Sequence, residues 1–148
     1  MILNKTTRYA LTVLGFMATR DEERYSAEHL FEQLKIPRRY LRRLLTDLSG
    51  HGFISSTKGR NGGFVFTKPC KDISFLNIIE ALEEPGAMET CLLGFSCCIV
   101  DKPCAMHEKW IEAQTKMTDT LANTSLADLR EKYKLDLTNN SQPIKTTI

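Results

Sequence analysis

Apolar residues along this chain recur first with a helical period, then with a strand period, then with a helical period again. Ala10, Val13, Leu14 and Met17 follow the i, i+3, i+4, i+7 spacing of a buried stripe, which predicts a first helix from about Thr6 to Thr19. A charged turn, Arg20 to Arg24, ends it. Ser26 has the chemistry of an N-cap for a second helix, with Leu30, Phe31 and Leu34 facing inward. Ile36 and Pro37 break that helix, and Pro37 suits the start of the next. The third helix runs to about Ser49 with Leu41, Leu44, Leu45 and Leu48 as its inner stripe, and Gly50 and Gly52 end it.

Phe53 to Thr57 and Phe64 to Thr67 then read as two short strands, joined by the turn-rich loop Lys58-Gly59-Arg60-Asn61-Gly62-Gly63. Three helices followed by a hairpin is the winged-helix order. The expected fold is mostly α with a small β-hairpin: a winged helix-turn-helix plus a long dimerisation helix. Pro69 marks a boundary. Asp72 or Ser74 opens a fourth helix with Phe75, Ile78, Ile79 and Leu82 on one face, and Pro85-Gly86 closes it. Residues 87–103 read as irregular. Pro103 then starts a long helix through about Asn123, in which Met106, Trp110, Ala113 and Met117 form a coiled-coil-like seam. Ser125 with Asp128 resembles a capping box for a short last helix to about Tyr133. The expected units are a DNA-binding domain over 1–68, a loop with dimerisation helices over 69–135, and a polar tail over 136–148.

Charge changes the picture by its distribution. The chain carries a formal +2, but the window from Lys35 to Lys68 holds eight Lys or Arg and one acid, leaving the remainder at −5. A basic block on an otherwise acidic chain is the footprint of a polyanion binder, although a solvated basic face would also carry it. Placed on the third helix, Arg38, Arg39, Arg42 and Arg43 spread over the side opposite the leucines, and Tyr40 flanks them. A guanidinium fork binds a guanine edge or a phosphate bidentately. Lys58 and Arg60 sit on a glycine-rich turn thin enough to enter a minor groove. Helix and wing together point to double-stranded DNA.

The first sixteen residues lack the apolar core of a signal peptide, and no run approaches the roughly 18 apolar residues of a membrane span, so a cytoplasmic protein is expected. There, five cysteines argue for metal or redox chemistry over disulfides. Cys91, Cys97, Cys98, Cys104 and His107 fall within 17 residues, with Cys104 and His107 expected at i, i+3 on the head of the long helix. Three thiolates and an imidazole are a complete set for tetrahedral zinc, and equally for a 2Fe–2S cluster in which histidine replaces one cysteine. A metal-free thiol sensor is a third reading of these residues. Cys70 lies apart and reads as a half-buried residue. No phosphate loop or pair of catalytic carboxylates is present, which argues against an enzyme with a small-molecule substrate and against an iron–sulfur carrier or redox protein. The cysteine spacing differs from that of common RNA-binding fingers.

Arg8-Tyr-Ala-Leu11, the region Ile36 to Leu48, the wing Lys58 to Phe64 and the pattern from Cys91 to Trp110 together resemble the IscR/NsrR/CymR-type family of bacterial winged-helix regulators. The resemblance covers residues 1 to about 130. It implies a homodimer joined by the long helix on a partly palindromic DNA site. Many members carry an iron–sulfur cluster that reports iron–sulfur status, redox state or nitric oxide; others lack the cysteines and sense through protein partners. The family spacing matches Cys91, Cys98 and Cys104, with Cys97 as the alternative to Cys98, and His107 resembles the histidine ligand of 2Fe–2S members. Members with a 4Fe–4S cluster that sense nitric oxide take an acidic ligand from the first helix of the partner subunit, at the position where this chain has Arg8. IscR-like members often carry a glutamate near Arg42. The expected mechanism is a switch, in which cluster gain, loss or oxidation changes the order of the 91–104 loop and so the placement of two reading heads.

Overall fold

The structure, a computed structural model, describes residues 3–20, 23–91 and 104–130. Its elements are α1 (Lys5–Ala18), α2 (Ala27–Leu34), α3 (Arg38–Gly50), β1 (Ile54–Thr57), β2 (Gly63–Phe66), α4 (Phe75–Leu82) and α5 (His107–Ala122). A 3-10 turn spans Cys70–Asp72, and residues 126–130 are helical. The expected end of the last helix and the expected tail over 136–148 lie outside the described residues.

The helix α1 begins where its first N–H groups find an acceptor. The Asn4 side-chain oxygen accepts from the Thr7 N–H at 2.8 Å. The same residue fastens α1 to the far end of α4: its backbone N–H donates to Glu83 Oε1 at 2.8 Å, and its side-chain amide donates to the Leu82 carbonyl and Glu83 Oε2. Ser26 caps α2 through the His29 N–H. Lys35 closes α2 in the left-handed region at φ 55°. Pro37 disfavours a helical Ile36, so the chain turns one residue earlier than the expected break. Ser74, rather than Asp72, caps α4, in a reciprocal box with Asn77.

The two strands pair antiparallel, Ile54 with Phe66 through Thr57 with Gly63. The outer edge of β2 is also paired. Tyr25 exchanges two backbone hydrogen bonds with Phe64, at 3.1 and 2.8 Å, and so ties the hairpin to the α1–α2 connection.

One core holds these elements together. Ala10, Val13, Leu14, Met17, Leu30, Ile36, Leu41, Leu44, Leu45 and Leu48 are buried in the same cluster as Ile73, Ile78 and Leu126. Packing therefore continues across Pro69. Cys70 lies inside this core rather than half-buried as the sequence suggested. Burying a leucine or isoleucine side chain contributes about 1.5–3 kcal/mol, so the leucine stripe of α3 fixes that helix firmly on α1 and α2.

The long helix departs from expectation at its start. It begins at His107, not Pro103. The His107 N–H donates to the Cys104 carbonyl in a turn, and the first i→i−4 bond of the helix runs from the Trp110 N–H to Met106 at 2.8 Å. Proline favours a helix start without enforcing one, and Met106 offers no side-chain cap. None of the residues of α5 is buried.

Two outcomes follow from the caps. Asn4→Ala removes the α1 cap and its bond to Leu82, and we expect a loss of about 1–2 kcal/mol in urea unfolding. The Asp128 carboxylate accepts from the Ser125 N–H and hydroxyl at 2.7 and 2.8 Å, which holds it below its ordinary 3.8. A folded value below the unfolded one means a contribution present above 3.8 and lost as pH falls through the lowered value. Unfolding of Asp128→Asn followed against pH should lack that acid-side change, while wild type keeps it.

Candidate nucleic-acid interface and cysteine segment

On α3 the leucines face the core, and Arg38, Arg39, Arg42 and Arg43 all remain exposed. They are not equivalent. Arg38 pairs with Glu28 at 2.5 Å and lies over the Phe31 ring, 4.3 Å from its centre, so α2 holds it. Arg39, Arg42 and Arg43 have no ion-pair partner among the described residues. Tyr40 does not point freely outward. It is half-buried, its hydroxyl lies 2.7 Å from Thr6 Oγ1, and its ring meets Tyr9 edge-on at 5.3 Å. It sets how α3 sits on α1.

Lys58 and Arg60 stand exposed on the hairpin loop. The loop is built from close backbone approaches. Gly59 has φ 115°, and the Gly62 N–H donates to the Gly59 carbonyl at 2.9 Å. A side chain on Gly62 would place Cβ 2.3 Å from the Thr57 carbonyl oxygen. Gly63 lies against the backbone of Tyr25, where a Cβ would sit 3.0 Å from the Tyr25 carbonyl oxygen. Arg24 adds a contact from its guanidinium to the Asn61 carbonyl at 3.5 Å. Sequence reading placed Arg24 and Tyr25 in or beside a plain charged turn. The one signal there was Tyr25, a lone aromatic next to five charged residues.

The cysteine segment begins on α5. Trp110 Nε1 donates to the Thr90 carbonyl at 3.0 Å, and the Gln114 amide donates to the carbonyls of Met88 and Thr90. These side chains, one turn apart, hold the backbone that leads into half-buried Cys91. Cys104 and His107 are half-buried at the head of α5, with Cys104 in the turn before it rather than within the helix. Cys97 and Cys98 lie outside the described residues. Among the described residues no three His, Cys, Asp or Glu side chains gather as a metal site. A cavity of about 700 Å³ adjoins the segment, lined among others by Asn4, Glu83, Met88, Cys91, Trp110 and Met117.

The expected seam divides accordingly. Trp110 and Met117 face this cavity, whereas Met106 is 45% exposed and Ala113 is also exposed. Ile111, which sequence reading omitted, is 48% exposed on the neighbouring face.

The model of the Rrf2 family, described as iron-dependent transcriptional regulators, matches residues 3–132. The chain belongs to the Rrf2 family. A relative from Aquifex aeolicus (strain VF5), which carries the name of an HTH-type transcriptional regulator, is 34% identical over 131 residues, covering 87% of this chain and 91% of its own. Among solved structures, CymR, the global cysteine regulator of B. subtilis, superposes with a TM-score of 0.75 at 25% identity over 89% of this chain and 98% of its own. IscR of T. potens shares the fold, with a TM-score of 0.70 at 18% identity over 97% of this chain and 94% of its own. Rrf2 proteins are DNA-binding transcription regulators, typically dimeric, and not enzymes. The helical body with one two-stranded hairpin is their winged-helix fold. Among the described residues no helix is long and apolar enough to cross a membrane.

The wing makes a test of its own. Gly62→Ala forces the loop open at Thr57 without touching the core. It should weaken duplex binding at least several-fold in a fluorescence anisotropy titration, while the thermal midpoint of the helical signal moves by only a few degrees.

Proposed function

We propose that this chain is a cytoplasmic, homodimeric Rrf2 regulator that reads double-stranded DNA with α3 and the wing, under the control of an iron–sulfur cluster on its cysteine segment. The observation that carries the DNA reading is the set of outward arginines Arg39, Arg42 and Arg43, which meet no carboxylate. Like charges held together on one short helix repel, and phosphates or guanine edges relieve that cost. Lys58 and Arg60 reach the neighbouring minor groove, and Arg38, fixed by Glu28, contacts the backbone. Tyr40 acts by position, holding α3 against Thr6 and Tyr9.

The sensing half rests on donor chemistry and placement. Cys91, Cys98, Cys104 and His107 supply three thiolates and an imidazole, with Cys97 as the alternative to Cys98. Trp110 and Gln114 bring the chain before Cys91 onto α5, whose head carries Cys104 and His107. A soft, mixed sulfur and nitrogen set of this kind fits a 2Fe–2S group, which would supply one-electron redox chemistry when bound. Asn4 links Leu82 and Glu83, at the start of the loop to Cys91, to the first turn of α1. A change in that loop therefore reaches the helix against which α3 is seated. The seam residues Met106, Ala113 and Ile111, exposed on one chain, would be covered by α5 of a second copy, with Trp110 and Met117 bordering that interface.

Zinc is the second reading, because the same donor set satisfies a closed tetrahedral site. Purification without oxygen, followed by a visible spectrum with iron, sulfide and zinc assays, separates the two. About two irons and two sulfides per chain, lost in Cys104→Ala with altered DNA affinity, is the expected result. A colourless protein with stoichiometric zinc would replace the cluster by a structural metal. A Cys104→Ala chain that binds DNA as wild type does, with and without the metal, would end the sensing proposal.

A further inference from the structure

A groove of about 250 Å³ runs between α1 and the end of α2, just before the start of α3. Leu34 and Ile36 form its floor, and Lys5, Arg8, Tyr9, Thr12 and Gln33 complete its walls. No acid lines it. Lys5 and Arg8 have no ion-pair partner among the described residues, and Lys5 Nζ sits 5.5 Å from the centre of the Tyr9 ring. Two unpaired cations one helical turn apart are therefore presented on one wall, beside the Gln33 amide. An exposed cation normally has water as its partner, so this alone assigns nothing. Continuity assigns it. Tyr9, on the groove wall, packs its ring on Tyr40 of α3, and Thr6, one residue from Lys5, meets the Tyr40 hydroxyl. Exposed Lys35 stands in the tight turn that joins the groove floor to α3.

We propose that Lys5 and Arg8 form a third DNA contact, a seat for backbone phosphates flanking the major groove that α3 enters. This rests on the reading of α3 as the recognition helix. When a recognition helix lies in the groove, elements packed at its N-terminal end come over the sugar-phosphate strand at the groove's edge. That strand presents a phosphate about every 3.4 Å along the helix axis. Lysine and arginine one turn apart, with an amide donor between the walls, suit two successive phosphates. Such contacts carry no base information. They add affinity that falls steeply with salt, and they fix how far α3 can roll in the groove. The basic surface assigned from sequence thus extends beyond the Lys35–Lys68 window to the first turns of α1.

The test is the salt dependence of binding to a short mixed-sequence duplex, measured on the full chain. Wild type, Lys5→Gln/Arg8→Gln and the charge-keeping exchange Lys5→Arg/Arg8→Lys are compared, with light scattering on each for oligomeric state. The expected result is that the neutral pair lowers the slope of log K against log salt by about 0.9 per lost phosphate contact, near 2 per protomer. The charge-keeping pair retains the slope, and all three share one oligomeric state. An unchanged slope in the neutral pair, with wild type still binding, overturns the phosphate seat and leaves the DNA reading intact. A shift in oligomeric state with the slope unchanged assigns the groove to a second copy of the chain instead. A wild type that does not bind duplex DNA overturns both proposals together.

Discussion

The packing of α1 is the constraint on which the rest of the molecule depends. Its Ala10, Val13, Leu14, Met17 and Ala18 are fully buried, and it touches α2, α3 and α4. Its N-terminal turn holds the end of α4 through Asn4 and seats α3 through Thr6 and Tyr9. Its C-terminal half packs Phe16 on Tyr25, the residue that pairs with the wing strand. The last helical segment also lies close to α1, with Leu129 Cδ1 near Gly15. The reading head also packs directly on the wing strand β1, and the reading head, the wing and the end of α4 that leads toward Cys91 each connect to this helix. A small displacement of α1 is thus felt at all three. That is the arrangement expected of a regulator in which a signal at one end must alter geometry at the other.

Electrostatics explains why the reading head stays exposed while the core is dense. The α3 leucines secure the helix with several kcal/mol of apolar burial. That margin allows its outer face to carry cations that an isolated helix of this length would not tolerate. Arg38 differs in having a carboxylate partner, Glu28, and a place over the Phe31 ring while remaining exposed. Its pairing with α2 adds little stability at an exposed site, but it orients the first turn of α3 relative to α2.

Much of this was legible from residue order because the signals were local. The leucine stripe of α3, the Ser26 and Ser74 caps and the glycine-rich hairpin loop each act within a few residues, and α1 to α3 and both strands appear within a residue or two of expectation, whereas α5, which has no side-chain cap, starts later than expected. Long-range pairings were not legible. Nothing near Asn4 announces Glu83, and nothing near Tyr25 announces Phe64, because those bonds depend on how elements meet after the core forms. The same reason hid the seat of Tyr40, an aromatic beside arginines that is half-buried against α1. Cys70 was judged by its sequence neighbours, a lysine on either side of the Pro-Cys pair, whereas the 3-10 turn points it inward. Of the proposed ligand set, the chain order gives the donors, while the anchoring of the backbone before Cys91, at Met88 and Thr90, by Trp110 and Gln114 comes only from the folded helix.

The weakest element by these measures is α5, and its weakness is informative. Sixteen residues with no buried side chain stand close to the length at which an isolated helix is marginal in water. Within one chain it gains support along the face of Trp110, Gln114 and Met117, where residues 84–91 lie, and from its packing on α4. Its other face leaves Ile111 48% exposed, and Met106 at its head is 45% exposed. A helix balanced in this way responds to whatever orders its two flanks. One flank is the stretch that leads into Cys91; the other is apolar surface of the kind a second α5 would cover. Ordering the loop strengthens the first support and thereby firms the surface offered to the second. In the proposed dimer, ligand occupancy and the spacing of the two reading heads are then coupled through the marginal stability of a single helix, without a separate moving part.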